Sequence, residues 1–144
     1  MYKVTIGTDH LTREAILELY NNVGWIKYTE NPDNLYKAFM NSTYVVSIII
    51  NEKIIGIARS ISDDISIHYL QDILVHTDFQ KQGVGRILLE DCLLRFNHVR
   101  THVILTDNEE RQRKFYESLG YKNTKNLKKI SLNCFVKMAD LELT

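Results

Sequence analysis

Seven consecutive residues, Gln80-Lys81-Gln82-Gly83-Val84-Gly85-Arg86, have the composition of an anion-binding turn. They follow a run that reads as a strand and lead directly into one that reads as a helix. Backbone N–H groups of Gln82, Gly83, Val84 and Gly85 would then converge at a helix N-terminus, where hydrogen bonds and the helix dipole together favour phosphate oxygens. A side chain at Gly83 or Gly85 would obstruct such a ligand or forbid the turn. Lys81 and Arg86 add positive charge at the rim. Two familiar phosphate loops fit badly. A Walker loop needs Lys and then Ser or Thr after its last glycine, whereas Gly85 is followed by Arg86-Ile87. A dinucleotide fingerprint needs Gly or Ala where Leu88 stands. A different pyrophosphate ligand and a plain glycine-containing turn both remain open on these residues alone.

Other residues suited to chemistry are scattered. Asp72 lies inside an apolar, strand-like stretch, where a carboxylate needs a partner or a purpose: it accepts a proton, holds a cation, or is a hydrogen-bonded strand aspartate at a sheet edge. Gln71 stands beside it. His68 and His76 have the pKa range of a base but read as solvated histidines at a strand exit. No Ser-His or Cys-His pair suggests a covalent intermediate. The two cysteines, Cys92 and Cys134, lack metal-ligand spacing, and no metal site is expected; both read as buried free thiols.

The elements that must position these residues follow from periodicity. Tyr2 to Ile6 reads as a strand. Asp9 or Thr12 caps a helix with Ile16, Leu19, Tyr20 and Val23 on one face, ended by Gly24. Trp25 to Asn31 is an aromatic loop, and Pro32 opens a short helix carrying Leu35, Ala38 and Phe39. Tyr44 to Ile50 is a β-branched strand, Asn51-Glu52-Lys53 a tight turn, and Ile54 to Ile61 its hairpin partner, with Gly56 as a bulge or close approach. Asp63-Asp64 turns the chain into a fourth strand, Ser66 to Val75. A helix with Ile87, Leu88, Cys92, Leu93 and Phe96 follows the glycine loop, then a strand at Thr101 to Thr106 and a polar-faced helix from Asn108 to Leu119 ended by Gly120. Short strands near Tyr121 and at Cys134 to Met138 complete the order β-α-α-β-β-β-α-β-α-β-β, an α/β domain occupying residues 1–144.

Two blocks carry a resemblance. Gln80 to Gly85 matches the Q/R-x-x-G-x-G/A signature of the GNAT family of N-acetyltransferases, and Phe115-Tyr116-Glu117-Ser118-Leu119-Gly120-Tyr121 looks like that family's F-Y-x-x-L-G-F/Y ending. The strand Leu70 to Val75 resembles the family's fourth, and the element order covers nearly the whole chain. The resemblance implies a mixed, mostly antiparallel central sheet with flanking helices and a splay between strands four and five. It implies acetyl-CoA as cofactor, with backbone groups near Leu74 and Val75 on the pantetheine arm and residues 80–86 on the pyrophosphate. Thr77 stands where many members have proline. Glu109 stands where many have asparagine, and Asn108 beside it is counted among the cofactor contacts.

The activity implied is direct transfer of an acetyl group to a primary amine. Tyr116 would donate a proton to the departing thiolate, and Asp72 would take the amine's proton through water or hold a cationic substrate. Trp25, Tyr28 and Gln71 would line the acceptor side; an aromatic wall suits an arylalkylamine or a polyamine. A protein or peptide acceptor and a non-catalytic acyl-CoA-binding module are the alternatives.

The 18 basic residues balance the 18 acidic ones, which disfavours nucleic acid or an anionic membrane as main partner. No apolar run approaches a membrane span and no secretory leader is evident, so a cytoplasmic location is expected. In the resembled family, homodimers often form through C-terminal strands; Cys134 to Met138 is the segment available for that.

Overall fold

In a computed structural model describing residues 1–139, the chain divides into two compact units, Met1–Leu105 and a second starting at Thr106. The first unit is built on five strands in sequence order: β1 (Lys3–Ile6), β2 (Tyr44–Ile50), β3 (Lys53–Ser62), β4 (Ile67–Val75) and β5 (Thr101–Ile104). The first four pair antiparallel, and β4 pairs parallel with β5. This is the mixed sheet that the resemblance implies. No helix among the described residues is long and apolar enough to cross a membrane.

Local chemistry explains the elements. Helix α1 (Arg13–Asn22) starts at Thr12, whose hydroxyl accepts the Ala15 amide at 3.1 Å, and stops before Gly24 at φ +84°. The expected aromatic loop contains a single helical turn, α2 (Ile26–Thr29), too short to leave a periodic signature. Pro32 occupies the first turn of α3 (Pro32–Met40), with the Asn31 side chain as its cap. The β2–β3 turn uses positive φ at Asn51 and Glu52. Helix α4 (Val84–Arg95) follows β4 through a short 3-10 turn. Tyr20, Leu19, Phe39, Val45, Ile57 and Leu74 belong to a core between the sheet and helices α1 and α3.

Burial along β4 alternates without a break, taking in His68, Leu70, Asp72 and Leu74. The register is nevertheless interrupted. Leu70 pairs with Ser60 and Asp72 with Arg59, leaving Gln71 as a bulge. Ser60 and Arg59 are neighbours in β3 and point to opposite faces. The buried set therefore changes sides at Gln71: His68 stacks on Phe96 at the end of α4, whereas Asp72 accepts a hydrogen bond from Tyr20 of α1.

The second unit contains α5 (Glu110–Ser118), a 3-10 turn at Thr124–Asn126, and extended chain. The strands expected near Tyr121 and at Cys134 to Met138 are not formed. An alternating pattern shows that a segment is able to join a sheet, but a strand also requires a ladder partner, and among the described residues the segment pairs with none. Phe135 is 90% exposed, and Cys134 is an exposed thiol rather than a buried one; only Cys92 is buried.

Candidate active site

Two features of the first unit converge at the C-terminal end of β4. The first is the start of α4. Gly83 is its N-cap at φ +85°, no side chain caps the helix, and a Cβ on Gly83 would meet nothing within 4 Å. The first-turn amides of Val84 and Gly85 have no preceding helical carbonyl to bond. The loop is held by its own glutamines: Gln80 Nε2 donates to the Val75 carbonyl at 3.0 Å and Gln82 Nε2 to that of Asp78 at 3.3 Å. Lys81 is exposed and also at positive φ, while Arg86 is paired with Glu90 at 2.8 Å across one helical turn.

Gly56 in β3 seats this helix. A Cβ there would lie 2.9 Å from Val84 Cγ1 and 3.2 Å from Leu88 Cδ1, so the bare backbone lets α4 come down on the sheet. Thr77 uses the N–H that a proline would lack: it donates to Asn22 Oδ1 at 2.9 Å, and Asn22 Nδ2 donates to the Thr77 hydroxyl at 3.2 Å.

The second feature is the open edge of β4. Its ladder to β5 ends at the Leu70–Ile104 pair, while β4 continues to Val75. The His76 amide donates to the Ile55 carbonyl at 2.8 Å, so alternation directs the main chain of Leu74 toward β3 and that of Val75 and Ile73 away from it. Of the two residues expected to offer backbone groups, Val75 faces the opening and Leu74 faces β3, its side chain in the core. A strand edge without a ladder partner among the described residues, where only the Gln80 side chain reaches the Val75 carbonyl, beside an uncapped helix start fits a ligand with a hydrogen-bonding arm and phosphate groups, as coenzyme A has.

An aromatic cluster lies beside β4. Tyr20 packs against Trp25, Tyr28 and Phe39 with ring centroids 6.0, 5.6 and 5.9 Å away. Its hydroxyl donates to Asp72 Oδ2 at 2.8 Å. Arg59 donates to the same oxygen through Nε at 3.0 Å and Nη2 at 2.9 Å, and Gln71 Nε2 reaches Asp72 Oδ1 at 3.4 Å. Burial and the neighbouring carboxylate push the Tyr20 phenol well above its usual range, so it stays a donor. Tyr28, 38% exposed, is raised by burial first and by the Asp72 charge second. Trp25, Tyr28, Gln71 and Asp72 thus lie in one group. Asp72 is only 2% exposed, and its need for a partner is met by Arg59, its register partner in β3. Arg59, Tyr20 and Phe39 were missed as members of this group. A lone arginine within the apolar Ile54–Ile61 run was the available signal.

On the opposite face, His68 Nε2 lies 2.9 Å from Ser60 Oγ and its Nδ1 2.9 Å from His102 Nδ1. Burial, with His102 as a second cause, lowers His68 to about 4, so it is neutral at pH 7. It ties β4 to β5 where the ladder is still closed.

Tyr116 and Asn108 belong to the second unit. Tyr116 lies on α5 between Phe115 and Tyr121, at ring distances of 5.1 and 5.9 Å. Burial raises its phenol to about 12, and its hydroxyl bonds to no described residue. Asn108 precedes the α5 cap, Glu109, which makes no side-chain cap.

The acetyltransferase (GNAT) domain family matches residues 8–141. The chain is similar to the uncharacterized N-acetyltransferase ycf52 of Pyropia yezoensis, 28% identical over 108 residues that cover 72% of this chain and 61% of that protein. It thus spans about three-fifths of that relative's length. Its fold resembles a GNAT-family acetyltransferase from Streptococcus pneumoniae TIGR4, with a TM-score of 0.78 at 22% identity over 96% of this chain and all (100%) of the other. It also resembles a probable acetyltransferase from methicillin-resistant Staphylococcus aureus, with a TM-score of 0.76 at 23% identity over 96% and 100% of the two chains. With the family matched along almost the whole sequence, and an uncapped helix start beside an open strand edge where that family's signature falls, the chain belongs to the GNAT family of acetyltransferase domains.

Proposed function

We propose that this chain transfers an acetyl group from acetyl-CoA directly to the primary amine of a small molecule. The observation that carries the reading is the start of α4, open in front of Gly83 and uncapped, next to a β4 edge with no ladder partner beyond Leu70 among the described residues. Amides of residues 82–85 would hold the pyrophosphate, and the Val75 main chain the pantetheine arm. When bound, acetyl-CoA supplies a thioester already activated toward an amine.

The chain's own groups have distinct tasks in this reading. Trp25 and Tyr28 offer ring faces to the body of the acceptor. The Oδ1 side of Asp72, with Gln71, is the polar spot on that wall and orients the amine. Arg59 cancels the Asp72 charge, so the wall attracts through aromatic surface more than through net charge. That favours an arylalkylamine over a polyamine. Tyr116 keeps its proton at Oη and serves as the donor to the leaving thiolate.

The test is thiol release from acetyl-CoA against a panel of arylalkylamines, polyamines, aminoglycosides and peptides. Saturable turnover with a small amine is expected. Turnover with peptides alone would assign a protein acceptor. Tight CoA binding with no turnover on any acceptor would leave a binding module and overturn the enzyme reading.

A further inference from the structure

A groove of about 680 Å3 lies between α1 and the β2–β3 hairpin. None of the residues assigned above to cofactor or acceptor lines it. Its apolar wall includes Leu19, Ile49 and Ile54, and its polar groups include Lys3, His10 and Glu18. The volume falls within the range of small-molecule sites and far exceeds an inorganic ion.

The charges in the groove are not equivalent. Lys53 lies 3.1 Å from Glu18, so those two neutralise each other. Glu52 sits at the hairpin tip, in the turn. Lys3 has no ion pair among the described residues, and it stands in register with Ile49, so a free ammonium lies beside an apolar wall. His10 is fixed by its Nε2, 3.1 Å from the Oγ of the fully buried Ser47, which leaves Nδ1 for another partner. Thr5, in register with Ser47, has a buried hydroxyl oxygen with no hydrogen bond, so this corner is short of polar partners.

We propose that this groove is a second binding site, for a small organic acid whose carboxylate meets Lys3 and His10 and whose hydrocarbon body lies on Leu19, Ile49 and Ile54. The end of the groove at Lys3 and His10 favours an anionic head, away from Glu52 at the hairpin tip, and the wall favours an apolar body. A simple anion would leave the wall wet, and an alkylamine would meet the ammonium of Lys3.

The test is an amide-resolved NMR titration of the full chain with hexanoate, with hexylamine and inorganic phosphate as controls. Saturable shifts at Lys3, His10, Leu19 and Ile54 are expected with hexanoate and not with either control. Lys3→Glu is expected to weaken hexanoate binding by about tenfold or more, and Lys3→Gln by less. Lys3 is exposed, so both variants should fold. No saturable shifts up to about 10 mM hexanoate would overturn the proposal. So would undiminished binding by Lys3→Glu, or binding of hexylamine or phosphate as tight as that of hexanoate.

Discussion

Gly56 of β3 and Val84 of α4 touch so closely that the glycine has no room for a Cβ, which would stand 2.9 Å from Val84 Cγ1. Val84 is the first residue of α4, so the height of the glycine loop above the sheet depends on a residue in a different hairpin. Gly56→Ala is expected to destabilise the fold by about 1–3 kcal/mol through overpacking. It should also weaken acetyl-CoA binding, and the double variant with Val84→Ala should recover stability. Chemical denaturation and calorimetric titration of the three proteins check this; additive losses in the double variant would remove the proposed contact.

Gly83 presents a different constraint. Space is open around it, but its φ of +85° is one that a β-branched residue strongly resists. Gly83→Val is expected to abolish CoA binding while leaving the circular-dichroism spectrum native. Wild-type affinity in that variant would refute the assignment of the loop to pyrophosphate.

Tyr116 is expected to act through its hydroxyl alone. Tyr116→Phe should lower kcat by roughly ten- to a thousand-fold with CoA affinity retained. With the phenol raised to about 12, the alkaline limb of the wild-type pH–rate profile should stay flat through the ordinary tyrosine range near pH 10. A kcat unchanged by the substitution would take Tyr116 out of the proton-donor role.

The His68–His102 pair makes stability depend on pH. His68 drops from 6.5 to about 4 in the folded chain, so between those values the unfolded chain binds more protons. Its contribution is fully present above pH 6.5 and is lost as pH falls toward 4, amounting to roughly 3 kcal/mol at most. Urea midpoints measured between pH 7 and 4, with imidazole titration followed by NMR, test this. A His68 that titrates at 6.5 in the folded protein would contradict it.

Much of this was legible in the sequence because it is written locally. The β-branched run Tyr44 to Ile50 is a strand with those bounds, Thr12 caps its helix, and Gly24 and Gly120 end theirs at positive φ. The glycine loop and the Phe115–Tyr121 block were also found, since their spacing is their signal. What escaped was non-local. Asp72 and Arg59 meet across a hairpin, and only the register shows that each answers the other. The run Cys134 to Met138 has strand composition, but composition does not supply a neighbour. The bulge at Gln71 was hidden for a subtler reason: every second residue of β4 is buried on both sides of it, so the pattern looks continuous.

That bulge gives β4 something like a reading frame. His68 and Asp72 each belong to a buried polar group, one under α4 and one under α1, and the extra residue between them phases both correctly. Deleting Gln71 would remove one side chain and also turn half of the strand over. Either the imidazole pair or the Arg59–Asp72 pair would then face the wrong helix. A single-codon deletion here should therefore be far less tolerated than any substitution of the same glutamine.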